Sequence, residues 1–136
     1  MAHYFTREEA EALLPQISVV LREIQVKYES VLQTQEELDA LRMQAAGNGY
    51  HLQDRIMNLQ RELSQQAQTL RKLLDELTGF GCVLKDPERG LIDFPARSPT
   101  GRDYLLCWLD GEDAIEWWHW PDAGFAGRTP LSDPPP

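Results

Sequence analysis

The chain of 136 residues carries 13 lysine and arginine side chains against 22 aspartate and glutamate side chains, which gives a net charge of -9. This length favours one domain, with at most one compact head on an elongated helical part. An acidic surface repels the phosphate groups of nucleic acids and of anionic membranes, so neither is expected as a partner. No stretch approaches the roughly 20 apolar residues of a membrane-spanning helix, and the start of the chain does not resemble a signal peptide, so we expect a cytoplasmic protein.

The first predicted helix begins at Arg7. Thr6 is its predicted N-cap, and Glu9 completes a capping box three residues later. Pro15 lies about two turns inside the helix, where it removes a backbone donor, so we expect a kink or a break after Leu14. Apolar residues recur at steps of three and four, which predicts an amphipathic helix. They are Ala10, Leu13, Ile17, Val20, Ile24, Val31, Leu38, Leu41 and Ala45.

A second amphipathic helix is predicted to fold back on the first. Gly47-Asn48-Gly49 is the expected loop between them, and a short loop makes the two helices antiparallel. The second helix is expected to end at Gly79, in the left-handed conformation of a C-cap glycine. Its apolar stripe consists of Leu52, Ile56, Leu59, Leu63, Leu70, Leu73 and Leu77. Residues 1–79 therefore read as one helical hairpin.

The hairpin is predicted to be an assembly surface. Each helix carries a stripe wider than the seam of a two-stranded coiled coil, and a partner helix covers only part of it. A second copy of the hairpin would cover the remainder, which predicts a homodimer built as a four-helix bundle. The alternative is a monomer whose stripe packs on the C-terminal region.

Residues 80–136 are predicted to form a small antiparallel sheet of about four strands with an irregular tail, which makes the protein α+β. The period changes from helical to alternating after the hairpin. One β-hairpin joins 82–85 to 91–94 through a five-residue loop, and another joins 104–109 to 114–120 around Asp110-Gly111. An even loop at Asp110-Gly111 would place Trp117 and His119 on one face and Cys107 on the other.

Several motifs resemble an uncharacterised bacterial protein family classed as a domain of unknown function. The motifs are Tyr4-Phe5-Thr6 with Glu9-Ala10 and Leu13-Leu14-Pro15, Gly81-Cys82-Val83-Leu84-Lys85-Asp86-Pro87, Gly90-Leu91-Ile92-Asp93-Phe94-Pro95, Leu106-Cys107-Trp108 with Gly111-Glu112, and Trp118-His119 with Asp122-Ala123-Gly124-Phe125-Ala126-Gly127-Arg128. The resemblance implies a cytoplasmic protein with long N-terminal helices and a small C-terminal region. It implies no activity and no catalytic residue.

Metal binding is one chemical hypothesis for the C-terminal region. Cys82, Cys107 and His119, together with Asp93, offer the mixed donors that suit zinc. The predicted strand alternation opposes this grouping because an even loop separates Cys107 from His119, whereas an odd loop or a bulge would bring them to one face. We therefore expect two buried, reduced thiols with no metal and no cofactor.

Anion binding is the other chemical hypothesis. The two glycines around Phe125 free the backbone near Arg128, a planar cation in an acidic chain. The predicted ligand-binding residues are Asp93, Trp117, His119 and Arg128. The alternative is structural, with an Arg128 salt bridge to Asp93 or Asp86 that fixes the tail.

The leading functional hypothesis is a non-enzymatic interaction or scaffold protein that assembles through its helical hairpin and binds a protein partner. No familiar catalytic motif is present, so no catalytic residue is predicted. The alternative is a small-molecule (anion) or metal-binding domain, with or without enzymatic activity, whose site lies on the C-terminal sheet.

Overall fold

The structure is a computed structural model that describes residues 3–48 and 50–136. Two long helices precede a five-stranded antiparallel sheet, so the predicted α+β class is confirmed. The helices are α1 (Arg7–Asn48) and α2 (Gln53–Gly79), with a 3-10 turn at Tyr50–Leu52 before α2. The strands are β1 (Val83–Asp86), β2 (Leu91–Arg97), β3 (Asp103–Leu109), β4 (Trp117–His119) and β5 (Thr129–Pro130).

The predicted start of α1 is confirmed. The Glu9 backbone N–H donates to Thr6 Oγ1 at 3.1 Å, and the Thr6 N–H donates to Glu9 Oε1 at 2.9 Å. These reciprocal bonds satisfy two donors that a helix end leaves unpaired. The hydrogen bonds with Thr6 also lower the pKa of Glu9.

The break expected after Leu14 does not occur, because α1 continues through Pro15. Leu14 and Ile17 on either side are buried, whereas Pro15 itself is exposed. Pro15 cannot donate to the carbonyl one turn earlier, but on the exposed side of the helix that carbonyl can bond to water. The buried side chains on either side hold the helix in place, and it stays continuous.

The connection between the helices differs in detail from the prediction. Gly47 and Asn48 belong to α1, and Gly49 lies outside the described residues. At the other end of α2 the left-handed glycine is Gly81, with φ of 97°, and not Gly79. A Cβ at Gly81 would lie 3.0 Å from the Phe5 ring, so this position requires glycine for space as well as for conformation.

Contacts divide the chain into two compact units. One comprises Met1–Arg22 and Asp75–Pro136, and the other comprises Glu23–Leu74. We call the first unit the head and the second unit the arm. In the arm the two helices pack through Leu38, Ile56 and Leu59, which are buried, and an ion pair joins Arg55 to Glu37.

The strands of the head follow one another in the order β1-β2-β3-β4-β5. The expected first hairpin is confirmed in register, since Val83 lies opposite Asp93 and Leu84 opposite Ile92. A shift near its turn pairs Asp86 with Leu91, and Gly90 takes a φ of 72° there. The tail is more regular than predicted, because Thr129–Pro130 adds a fifth strand beside β4.

One face of the sheet is apolar and packs on the first part of α1. We define this apolar face by Ile92, Phe94, Leu106, Trp108 and Trp118, which are all buried. The Phe5 ring meets the Phe94 ring edge-on at 5.4 Å between centroids, and the Phe5 N–H donates to the Pro95 carbonyl at 2.7 Å. The N-terminus is thereby fastened to β2.

In the part of the chain that the structure describes, no helix combines the length and the apolar character that crossing a membrane requires.

Candidate metal centre

The pairing of β3 with β4 decides which side chains meet. Cys107 lies opposite Trp117, and His119 lies opposite Leu105. Because alternate residues of a strand share a face, Cys107, Trp117 and His119 lie on the same face. The predicted separation of Cys107 from His119 is therefore wrong.

The wrong prediction came from the connection between these strands. It assumed a tight loop at Asp110-Gly111 and a strand from residue 114, whereas β4 begins only at Trp117. Residues 110–116 form turns and irregular structure, and the Ile115 N–H donates to Glu11 Oε1 at 3.0 Å instead of to β3. The segment 108–116 between the paired residues Cys107 and Trp117 therefore has an odd number of residues. It brings Cys107 and His119 to the same face, whereas the predicted even loop would have put them on opposite faces.

We define the polar face of the sheet by Asp93, Cys107, Trp117 and His119. Asp93 on β2 lies opposite Cys107 on β3, which lies opposite Trp117 on β4. The side chains of Asp93 and His119 are 2% and 3% exposed, and Cys107 is 0% exposed. Three metal-ligating residue types thus share one buried position beneath the tail.

The three candidate ligand atoms lie close together. The carboxylate of Asp93, the thiol of Cys107 and the imidazole of His119 each offer an atom within 4.8 Å of the other two. His119 Nε2 lies 3.1 Å from Asp93 Oδ2. The other oxygen, Asp93 Oδ1, is buried and has no hydrogen-bond partner of normal geometry among the described residues. A hydrogen bond between the Cys107 thiol and the Asp93 carboxylate makes a small contribution to the raised pKa of Cys107. A buried oxygen without a donor is costly unless something binds it.

The backbone fixes the tautomer of His119. Its Nδ1 lies 2.7 Å from the Trp120 carbonyl oxygen, which only accepts hydrogen bonds, so Nδ1 carries the proton. In a neutral imidazole Nε2 is then an acceptor, and it faces a carboxylate oxygen that is also an acceptor. Either a proton or a cation must lie between them. Nδ1 bonded to a carbonyl with Nε2 free is the arrangement found in metal-ligating histidines.

Nucleophilic catalysis by Cys107 does not fit this geometry. Burial, with a further contribution from the negative charge of Asp93, raises the pKa of the Cys107 thiol to about 11. The thiol is therefore protonated at neutral pH in the metal-free protein. The two ring nitrogens of His119 face the Trp120 carbonyl and the Asp93 carboxylate and not the Cys107 thiol, so the imidazole is not placed as its base.

The other cysteine is not part of the cluster. Cys82 precedes β1, and its Sγ contacts the Leu77 carbonyl oxygen at 3.5 Å. Burial raises the pKa of the Cys82 thiol to about 11. The predicted set of Cys82, Cys107 and His119 is thus corrected to Asp93, Cys107 and His119, while Cys82 fits the predicted role of a buried thiol.

Arg128 borders the cluster but pairs with a residue that the sequence did not indicate. Its Nη1 and Nη2 donate to the two carboxylate oxygens of Glu112 at 3.2 and 2.9 Å, not to Asp93 or Asp86. Burial disfavours the charged guanidinium, but the hydrogen bonds and charges of Glu112 and Cys107 together outweigh that effect and raise the pKa of Arg128. Nη1 also lies 4.0 Å from Cys107 Sγ.

The four predicted ligand-binding residues do come together. Asp93 and His119 are in direct contact, and the Arg128 guanidinium lies over the Trp117 ring at 4.6 Å. Sequence reasoning did not give Glu112 a role in the site, although Gly111-Glu112 is among the motifs that carry the family resemblance. A charged residue beside a turn does not show which face of the sheet its side chain reaches.

Two surface cavities of the head lie elsewhere. One of about 380 Å³ is lined by the side of the tail at Pro130–Ser132 together with Arg7, Glu116 and Trp117. The other, of about 490 Å³, lies between α1 and the turn after β3, where Glu11, Glu112 and Asp113 bring acidic groups together. Neither is lined by Asp93, Cys107 or His119, so neither opens directly on the cluster.

The fold and the cluster define a class of protein with a helical arm and a small sheet whose polar face buries metal-ligating side chains. Residues 3–131 match a protein family described as an uncharacterized conserved protein (DUF2203), and the chain belongs to this family. This confirms the resemblance drawn from the sequence. Comparisons with curated proteins and with solved structures give no match.

Proposed function

We propose that the head is a metal-binding domain that holds a divalent ion of the zinc class through Asp93, Cys107 and His119. The observation that carries the proposal is the buried cluster itself, in which three different ligand atoms lie within 4.8 Å of one another. A carboxylate, a thiolate and an imidazole are together the donors that zinc takes in proteins.

The distances support this assignment. Zinc bonds of about 2.0 to 2.3 Å in a tetrahedral arrangement place neighbouring ligand atoms roughly 3.3 to 3.7 Å apart. The separation of 3.1 Å between His119 Nε2 and Asp93 Oδ2 is already close to that value. Cys107 Sγ must approach by at most about 1 Å, since the whole set lies within 4.8 Å.

Charge balance also supports a divalent ion. An ionised Asp93 and a Cys107 thiolate carry two negative charges, and burying them without a cation is unfavourable. A divalent ion neutralises both charges. Three protein ligands leave one tetrahedral position for water or a small ligand, which is the arrangement of zinc sites that do chemistry.

Metal analysis with matched cysteine variants tests the proposal. We expect about one equivalent of zinc or cobalt after loading and desalting, and the cobalt form should show thiolate-to-metal charge-transfer absorption. Cys107→Ala and His119→Ala should each lose the metal. Cys82→Ala is the control, because Cys82 is equally buried but lies outside the cluster, and it should keep the metal. A folded wild type that retains no metal after loading would overturn the proposal.

A second candidate function is self-assembly through the arm, for which the specific observation is its incompletely covered apolar stripe. Among the described residues of the arm, Leu38, Ile56 and Leu59 form a buried cluster, with Leu63 among the residues packed beside them. Leu70 is only half-buried, and further apolar side chains of the arm are exposed. A second copy packed as a four-helix bundle would cover such a stripe and would support a scaffold role.

Light scattering tests the assembly. The wild type should have about twice the chain mass of 15.6 kDa, and Leu70→Glu should return it to one chain because a charge would be buried in the seam. Met43→Glu is the control, since Met43 is 80% exposed and a charge is tolerated there. A folded wild type that stays monomeric at high concentration would exclude this function.

A further inference from the structure

Several contacts besides its ion pair with Glu112 fix the position of the Arg128 side chain. Its guanidinium lies over the rings of Trp117 and Phe125, at 4.6 and 4.3 Å from their centroids. The next residue, Thr129, begins β5 and pairs with Trp118 of β4, so the backbone beside Arg128 is part of the sheet. The aromatic contacts and the strand together fix the direction of the N–H fork.

The side chain of Glu112, the partner of Arg128, is the more exposed of the two, although hydrogen bonds with Trp108 Nε1 and the Leu109 carbonyl hold the Glu112 backbone. Glu112 belongs to the turn after β3, where its neighbours Gly111 and Asp113 are exposed. The Glu112 side chain is 23% exposed, whereas that of Arg128 is 14% exposed. Glu112 Oε1 also accepts the Leu109 N–H at 2.7 Å. Leu109 is only half-buried, so water can replace that bond when the carboxylate leaves.

We propose that Arg128 is an anion subsite for a small carboxylate ligand, and that Glu112 occupies it as a built-in, displaceable carboxylate. The bidentate pairing shows that the fork matches a carboxylate, and an external carboxylate can form the same two bonds. An arginine fork can bind phosphate in the same way, but the group that fills it here is a carboxylate. We therefore take a small carboxylate as the ligand class and phosphate as the comparison.

The position of the subsite gives it a role beside the metal. Arg128 Nη1 lies 4.0 Å from Cys107 Sγ, the proposed thiolate ligand. A carboxylate bound to Arg128 lies next to the metal, and a second donor group of the same molecule can take the free coordination position. This part of the inference rests on the proposed metal centre, but the carboxylate subsite itself does not.

Malonate is the probe, because one of its carboxylates can bind Arg128 while the other faces the metal. Binding is measured by isothermal titration calorimetry on metal-free and zinc-loaded protein, with phosphate as the comparison anion. We expect the wild type to bind malonate more tightly than phosphate. Arg128→Lys should lose this binding, because lysine offers no planar fork. Glu112→Gln should bind malonate about tenfold more tightly, because its amide competes less well for the guanidinium than a carboxylate does.

The outcomes separate a binding site from a structural ion pair. No malonate binding to the folded wild type, or binding only after Glu112→Gln, would show that Glu112 is not displaceable and would overturn the inference. Equal binding of phosphate would overturn the ligand class. If Glu112→Gln does not fold, the wild type and Arg128→Lys still decide, because malonate binding that persists in Arg128→Lys contradicts the subsite.

Failure of the metal centre is distinguishable from failure of the subsite. Zinc stoichiometry is measured for each protein before the malonate titration. Malonate binding by the metal-free wild type without any zinc retention would support the subsite and reject the metal. Zinc retention without malonate binding would support the metal centre and reject the subsite.

Discussion

The apolar face and the polar face of the sheet share the same strands, and alternate residues of β2 belong to one or the other. Ile92 and Phe94 point to the apolar face and are 0% exposed, while Asp93 between them points to the polar face and is 2% exposed. At these positions of β2 the two faces are equally buried. They differ in chemistry, because one buries hydrocarbon and the other buries a carboxylate, a thiol and an imidazole.

The apolar face stabilises the head, whereas the polar face carries the candidate functional groups. Burying an aliphatic or aromatic side chain contributes roughly 1.5 to 3 kcal/mol to folding. Burying a carboxylate with one unpaired oxygen has the opposite sign unless a partner is supplied. Folding alone accounts for the apolar face. The polar face needs a further reason, which the proposed metal supplies.

The largest expected effect comes from neighbouring substitutions on the two faces. Phe94→Ala removes a fully buried ring that packs on Phe5, and it should lower the free energy of unfolding by about 3 to 5 kcal/mol. Asp93→Asn should change the metal-free stability by less than about 1 kcal/mol, because its amide can donate to His119 Nε2. Urea denaturation of metal-free protein measures both. Equal losses for the two variants would mean that the polar face is structural.

Much of the fold follows from local patterns that the sequence displays. The capping box of α1 and the first β-hairpin each depend on residues close together in sequence, and each was predicted. A kink or a break was expected at Pro15, and the absence of a break depends on buried neighbours that local propensity ignores.

The residues of the candidate site were divided between two hypotheses from the sequence, an anion site and an alternative metal site, and their arrangement was not predicted. One residue more or less between Cys107 and His119 decides whether the two side chains lie on the same face of the sheet. The segment between them is irregular, so the alternation of residues along the strands does not reveal its length. The pairing of Arg128 with Glu112 joins residues far apart in the chain, and charge alone did not distinguish Glu112 from Asp93 or Asp86. Tertiary contacts decided both questions.

An intermediate effect is expected at alkaline pH, where ionisation of the Cys82 thiol tests the effect of burial. Cys82 suits this test because it lies outside the candidate metal cluster. Its folded pKa of about 11 lies above the ordinary value of 9.0. The stabilising contribution is therefore complete below pH 9 and is lost as the pH rises through 11. Each pKa unit corresponds to about 1.4 kcal/mol, so wild type should lose roughly 2 to 3 kcal/mol more than Cys82→Ala between pH 8 and 12.

Denaturation curves at several alkaline pH values measure this difference. Other groups titrate in the same range, but they titrate in both proteins and cancel in the comparison. Parallel pH profiles for the wild type and Cys82→Ala would show that the Cys82 thiol ionises without resistance, and that its surroundings are more polar than the structure indicates.

The smallest expected effect compares two arginines that differ in burial. Arg128→Lys breaks the bidentate pair with Glu112, whose side chains are 14% and 23% exposed, and should cost about 1 kcal/mol. Arg97→Lys is the matched control. Arg97 also pairs with a carboxylate, Asp103, and lies over the Tyr4 ring, but both charged side chains are at least 50% exposed. Exposed pairs of this kind contribute little, so Arg97→Lys should be close to neutral.

Thermal melts of the two lysine variants in low and moderate salt decide between these expectations. Solvent and salt screen the exposed Arg97 pair, so any small effect of Arg97→Lys should vanish as salt rises. The effect of Arg128→Lys should persist, because its partner is largely shielded and the lost stacking on Trp117 does not depend on salt. If both substitutions prove neutral, the Arg128 contact with Glu112 does not stabilise the fold, and only ligand binding is left as a reason for the ordered fork.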